Sequence, residues 1–297
     1  MAAARTRSCS ASSPSLKARC PGAASPKATT SMSAPRTLLV ERRARVLHVT
    51  LNRPELRNAM SLEMVDELIA ALADAEQAGD RAIVLRGAGG HFCSGGDIKD
   101  MGAAQGQPVT DGHDPIAAVN ARFGELCVAY ANTGLPVVAV VEGAVMGGGF
   151  GLACVADVVL ASETALFRLP ETGLGIVPAQ IAPFLVERLG YSEARRLTVT
   201  GGKLDAAAAL KVGLVHAVHE TGALDAALEA ELAQIRKGAP NAIAATKALM
   251  RRARLEAPAS LVKDAAMAFA RAARSQEGAE GMTAFLEKRP ARWAEEG

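Results

Sequence analysis

The chain has 297 residues, 49% of them hydrophobic and 22% charged, with 33 basic residues against 31 acidic ones. A net charge of +2 excludes a polyanion-binding surface as the organising feature, and no apolar run approaches a membrane span, so neither nucleic acid nor a membrane is an expected partner. Cys9, Cys20, Cys93, Cys127 and Cys154 are scattered without CxxC spacing, which argues against a disulfide framework or a structural zinc site and for a reducing compartment, the cytoplasm.

Residues 1–35 contain no acidic residue and no apolar periodicity, and are rich in Ser, Ala, Pro and Arg; they read as a disordered N-terminal extension. Two readings of this stretch stay open: a transit peptide over residues 1–31, which would direct the protein to the mitochondrial matrix, or an over-long start ahead of Met32. TLLVERR (37–43) and RVLHVTL (45–51) have strand composition and are close enough to pair as a hairpin. Pro54 then punctuates a turn, and Ser61 caps a helix whose apolar residues recur at helical spacing through Asp80. AIVLRG (82–87) is a short buried strand that runs into the loop AGGHFCSGGDIKDM, and residues 115–133 are again helical. PVVAVVEG (136–143) is a second apolar strand, running into GAVMGGGFG; ADVVLAS and LFRLPETGLGIVP follow. Strands that alternate with helices, each delivering a loop at its carboxyl end, indicate α/β architecture with a site built from those loops. The core is expected to span residues 36–220. Residues 221–297 hold four helical stretches with apolar stripes, read as a cap on the core or, more sharply, as an oligomerisation surface.

Two glycine-bearing loops following two buried strands are the chemical signal. Each combines glycine with the start of a helix, where unpaired backbone N–H groups and the helix dipole favour negative charge. One donor from each loop makes an oxyanion hole.

The ordered set LNRPELRNAMS, AIVLRGAGGHFCSGGDIKDM, VEGAVMGGGFGLACVADVVLA, FRLPETGLGIVP, GLVHAV and FLEKR resembles the crotonase, or enoyl-CoA hydratase/isomerase, superfamily over residues 36–290. The resemblance implies a spiral of ββα units, an acyl-CoA thioester substrate, no cofactor beyond the CoA carried by that substrate, no metal, and a C-terminal helical region used in homotrimers or dimers of trimers. Matched by motif, Gly96 and Gly148 are the two amides that hold the thioester oxygen, and Glu171 in the Pro-Glu step handles the proton. Leu56, Arg57, Gly96, Asp97, Ile98 and Lys99 border the CoA arm, and Arg57, Lys99, Lys288 and Arg289 could meet its phosphates. Gly148 and Gly151 face the acyl end.

This chain departs from the family's hydratases at one of their two glutamate positions, where it has Gly151. Losing that glutamate is expected to clear volume and to remove a charge, since two carboxylates ~4 Å apart repel by ~4 kcal/mol at an effective dielectric of 20. Both changes suit a branched acyl group with a carboxylate of its own. Together with Ala179-Gln180-Ile181, they make the chain similar to the isohexenylglutaconyl-CoA hydratases of acyclic terpene degradation, with Arg168 as a speculative partner for the distal carboxylate. Leu169, Leu174 and Val177 are expected to bury Glu171 and raise its pKa.

The remaining candidates read as structural. Cys93 lacks a His partner at a motif position and is a small buried filler. His91 packs a turn, His48 lies on an apolar strand and His216 beside a later one, both read as structural, His113 and His219 are expected at the surface, and no metal-ligand spacing links them. Three functions therefore compete: a 2-enoyl-CoA hydratase, of isohexenylglutaconyl-CoA or of a methylglutaconyl-CoA type; a Δ3,Δ2-enoyl-CoA isomerase using Glu171 alone; and a non-catalytic acyl-CoA-binding protein.

Overall fold

The computed structural model describes residues 35–110 and 112–295, and the expectation for the N-terminal extension lies outside them, apart from Pro35. Strands β1 (Leu38–Arg43) and β2 (Val46–Leu51) form the expected antiparallel hairpin, joined by Ala44 and Arg45, both at positive φ as a two-residue turn requires. Helix α1 (Leu62–Ala78) starts where Ser61 Oγ accepts the Met64 N–H at 3.2 Å. The next strand is β3 (Ala82–Gly87), followed by α2 (Ile98–Gln105) and α3 (Pro115–Asn132).

The chain then repeats one device. Strand β4 (Val137–Val141) bends into β5 (Ala144–Met146) and α4 (Gly148–Val155); β6 (Val158–Ser162) bends into β7 (Leu166–Arg168) and α5 (Ala182–Thr200). β8 (Lys203–Asp205), α6 (Ala206–Lys211) and β9 (Ala217–His219) close the series. The first strand of each turn joins a six-stranded sheet of order β1-β2-β3-β4-β6-β9, parallel beyond the first hairpin. The second joins a small sheet, β5-β7-β8, which single bridges extend from Val145 to Cys93 and from Gly96 to Met60. This is a spiral of ββα units, the α/β arrangement implied by the sequence.

Parallel strands need cover on both faces, and the strand sequences are apolar throughout for that reason. One face of the large sheet packs on α1, α3, α4 and α5. Leu224, Leu228 and Leu232 of α7 (Leu224–Lys237), spaced by four, cover the other. The last strand ends at His219, and helices α8 (Pro240–Ala253), α9 (Pro258–Arg274), α10 (Gln276–Glu287) and α11 (Arg292–Glu295) follow α7. The final predicted helix is thus two, divided at Lys288, whose φ of 54° ends α10. Few apolar side chains on these helices are buried; Phe269, Phe285 and Leu286 are 77%, 83% and 79% exposed. Among the described residues no helix is long and apolar enough to cross a membrane.

Cations tie the helices to the core through backbone carbonyls. The buried Arg81 guanidinium donates to Gly238 O and Trp293 O at 2.8 Å and to Arg236 O at 3.2 Å, closing the end of α7. Arg81→Ala leaves those carbonyls with no partner, so we expect a loss of about 3 kcal/mol, read as a lower denaturation midpoint in urea at unchanged slope.

Candidate active site

The loop after β3 is held from both sides. Asn58, fully buried, accepts the Arg53 N–H at 2.9 Å and donates to Ala88 O and His91 O at 2.9 and 2.7 Å. Beyond it the amides of Phe92 and Cys93 donate to Glu142 O and Ala144 O, and Met146 N–H returns to Cys93 O. On the opposite edge Met60 N–H donates to Gly95 O and Asp97 N–H to Met60 O, at 2.8 and 2.9 Å. Strand alternation then turns the Gly96 N–H away from both neighbours. It donates to no acceptor among the described residues, and Gly96 is exposed.

The second loop meets the first at Gly147, whose φ of 48° and ψ of −115° suit only glycine. Its N–H donates to Arg168 O at 3.1 Å, and α4 begins with no side-chain cap. The Gly148 N–H therefore stands at the open N-terminus of a helix, with no acceptor among the described residues.

Glu171 completes the constellation. A Cβ on Gly147 would lie 3.0 Å from Glu171 Oε1 and 3.6 Å from Gly95 Cα, so the carboxyl and both glycine loops converge on one point. Glu171 Oε2 is buried with no hydrogen-bond partner, and burial pushes the carboxyl above its ordinary value. The expected surroundings are corrected in part. Leu169 is buried, but the 3-10 turn Glu171–Leu174, ended by Gly175, turns Leu174 and Val177 outward, 62% and 71% exposed. The glycine junction, by contrast, lies against the carboxyl.

The other site candidates divide. Leu56 and Arg57 sit on the turn that Ser94 holds against the first loop, donating from Oγ to Leu56 O and from N–H to Arg57 O. Ile98 and Lys99 are exposed at the start of α2 beside Gly96. Asp97 is instead an internal clamp, 8% exposed: its carboxylate takes the Arg53 guanidinium at 2.8 Å and the Lys99 N–H at 2.9 Å. Those contacts, with burial opposing them, hold it below the usual carboxylate range. The sequence offered a signal for this role, an Asp at the N-cap of a short helix, but not its partner. Arg289 is likewise taken, by Glu280 and Glu287. Arg168 is exposed, with no carboxylate partner among the described residues. Gly151 is buried, and the room expected there is filled by Ile181, with Phe123 beside it.

The remaining candidates are structural. Cys93 is fully buried beneath Gly149, its thiol pushed up to about 11 by burial. His91 Nδ1 accepts the Ala144 N–H at 3.1 Å, and His216 Nδ1 the Val159 N–H at 2.9 Å. His113 is exposed; His219, expected at the surface, is half-buried at the end of β9. Among the described residues no cluster of His, Cys, Asp or Glu could hold a metal ion.

Comparison with known proteins agrees with this fold. The family model described as enoyl-CoA hydratase/isomerase matches residues 41–296. The chain belongs to the enoyl-CoA hydratase/isomerase family. An enoyl-CoA hydratase/isomerase from Marinobacter aquaeolei superposes with a TM-score of 0.84 at 50% identity, covering 87% of this chain and 99% of that one. AtuE of Pseudomonas aeruginosa gives 0.83 at 50% identity, over 87% and 100%. A protein of Rhizobium meliloti named "Probable enoyl-CoA hydratase" is 38% identical over 262 residues, 86% of this chain and 96% of its own length. An acyl-CoA thioester substrate is consistent with membership of this family.

The raised Glu171 pKa has a consequence that needs no substrate. A carboxyl held above its ordinary value in the fold lowers stability as pH rises from about 4.5 through the raised value. Glu171→Gln, which cannot ionise, should melt above wild type at neutral pH, and the gap should narrow as pH falls through that window in calorimetric scans. A gap that is constant across the window would show that Glu171 ionises freely.

Proposed function

We propose that the chain is an enoyl-CoA hydratase, adding water across the double bond of a 2-enoyl-CoA. The observation that carries this reading is the meeting of the Gly95 and Gly147 loops at the Glu171 carboxyl, whose Oε2 is buried without a partner, while the adjacent amides of Gly96 and Gly148 have no acceptor among the described residues. The thioester oxygen accepts from both amides. As water oxygen bonds to the β-carbon, Glu171 takes a proton from it, and the electron pair of the double bond moves toward the thioester to give an enolate. The same carboxyl then returns the proton to the α-carbon, so atoms and charge balance with one carboxylate and no cofactor. Each amide is worth about 2.7–4 kcal/mol of transition-state stabilisation in a site of this kind. The CoA arm runs along Gly96–Lys99 beside Leu56 and Arg57, where Ile98 and Lys99 are exposed to meet it.

The finer reading is an isohexenylglutaconyl-CoA substrate. It is supported by the motif resemblance, by Gly151 in place of a second carboxylate, and by Arg168, an exposed cation two strand positions beyond Leu166 and three residues before Glu171. The apolar faces of α9 and α10 support a homotrimer or a dimer of trimers, and we place the protein in the cytoplasm. The filled space beside Gly151 favours one rival: a Δ3,Δ2-enoyl-CoA isomerase needs only one carboxylate.

Absorbance of the conjugated enoyl thioester separates the readings by sign. A hydratase removes it from a 2-enoyl-CoA, an isomerase generates it from a 3-enoyl-CoA, and a binding protein changes neither. We expect loss of absorbance, fastest with the glutaconyl-type ester in a panel of straight, methyl-branched and glutaconyl-type esters. Glu171→Gln should lower kcat by 10²–10⁴-fold, the usual range for a lost general acid-base group, with acyl-CoA affinity nearly unchanged. Retention of more than about a tenth of kcat would remove Glu171 from the reaction.

A further inference from the structure

The segment that begins with Glu171 ends in Ala179-Gln180-Ile181 and enters α5. Two consecutive side chains of this strap each sit in a notch left by a glycine. A Cβ on Gly124 of α3 would lie 2.7 Å from Gln180 Cδ, far inside contact distance, and Gln180 Nε2 donates to Asn120 Oδ1, one turn earlier, at 2.9 Å. A Cβ on Gly151 of α4 would overlap Ile181 Cγ2 and lie 3.2 Å from Ile181 Cβ. The Phe123 ring spans the junction. Its Cζ is 3.6 Å from that point on Gly151 and 3.3 Å from the corresponding point on Gly148, whose amide is one of the two free donors. Ile181 is 3% exposed, and its carbonyl accepts the Leu185 N–H at 2.9 Å, so its backbone is already committed to α5.

We infer that Ile181 is a specificity-determining residue of the acyl site: it occupies the volume a side chain at position 151 would need, and with the Phe123 ring forms an apolar wall one helical turn from the Gly148 amide. Gly151 is then not a hole left by a missing carboxylate. It is the recess that lets Ile181 in, and the two positions act as a matched pair. No side chain at 151 can enter without moving Ile181, so Glu171 works alone against an apolar wall. The bulk of the substrate near the reacting carbons is limited by Ile181, and the Gln180 amide locked over Gly124 holds that wall in place. This inference rests on the proposed function in taking the Gly148 amide as the thioester-oxygen donor.

The test uses the full chain as wild type, Gly151→Ala, Ile181→Ala, the double variant, and Ile181→Val as a milder truncation. Two quantities are measured: thermal melting, and calorimetric affinity for two saturated acyl-CoA esters that cannot react, one short and straight, one long and β-branched. We expect Gly151→Ala to melt several degrees lower, because a core that is full does not accept an added methyl. The double variant should recover most of that loss, a non-additivity that separate sites would not give. Ile181→Ala should raise the branched-to-straight affinity ratio at least fivefold, and Ile181→Val should raise it less. Gly151→Ala melting like wild type would overturn the matched pair. A ratio unchanged in Ile181→Ala, with both esters bound, would overturn the specificity role alone, whereas wild type that binds neither ester would overturn it together with the acyl-CoA reading.

Discussion

The site depends on one piece of strand pairing. Residues 93–96 lie between Met60 on one edge and Ala144–Met146 on the other, and the hydrogen bonds run to both neighbours. Parallel pairing of this kind is sequence-tolerant but geometrically strict, because each bonded residue alternates with one whose groups face elsewhere. Gly96 is such a residue, and its amide is free because Gly95 and Asp97 are the ones that bond Met60. The same pairing brings Gly95 against Met146 and Gly147, which brings the start of α4 within reach of the first loop.

The distribution of satisfied and unsatisfied polar groups follows from this. Around the site, the buried polar side chains are engaged: Asn58 makes three hydrogen bonds, and Asp97 is clamped by Arg53 and the Lys99 amide. At its centre, two donors and one acceptor have no protein partner among the described residues. The acceptor is the buried one, and a buried polar oxygen left so costs on the order of 1–3 kcal/mol. The clamp residues and the free groups are thus complementary. The first make the loops rigid, and rigidity keeps the second from finding partners of their own.

Burial of the carboxyl is achieved by an unusual means. Apolar side chains around Glu171 are few on its own turn, since Leu174 and Val177 point outward. Gly147 carries no side chain, and the carboxyl approaches the space a Cβ there would take, with Gly95 on the other side. A substitution at Gly147 would be opposed twice, by a positive φ and by the carboxyl itself.

Local chemistry in the sequence determined much of this protein. The hairpin, the Ser61 cap, the apolar strands, the amphipathic helices and the two glycine loops are all short-range patterns, and they were sufficient for the α/β class, whereas the roles given to Gly96, Gly148 and Glu171 come from the resemblance of their motifs to a family. What only the tertiary structure decided are contacts between segments distant in the chain. Gly151 reads as vacant space because sequence shows a missing side chain and not its neighbour; Ile181, arriving from the strap before α5, fills it. Asp97 reads as a ligand contact because its motif position is visible and Arg53 is not. Leu174 and Val177 read as a hydrophobic pocket because adjacency in sequence does not reveal which way a tight turn faces. In each case the backbone pattern was local, and the packing partner was not.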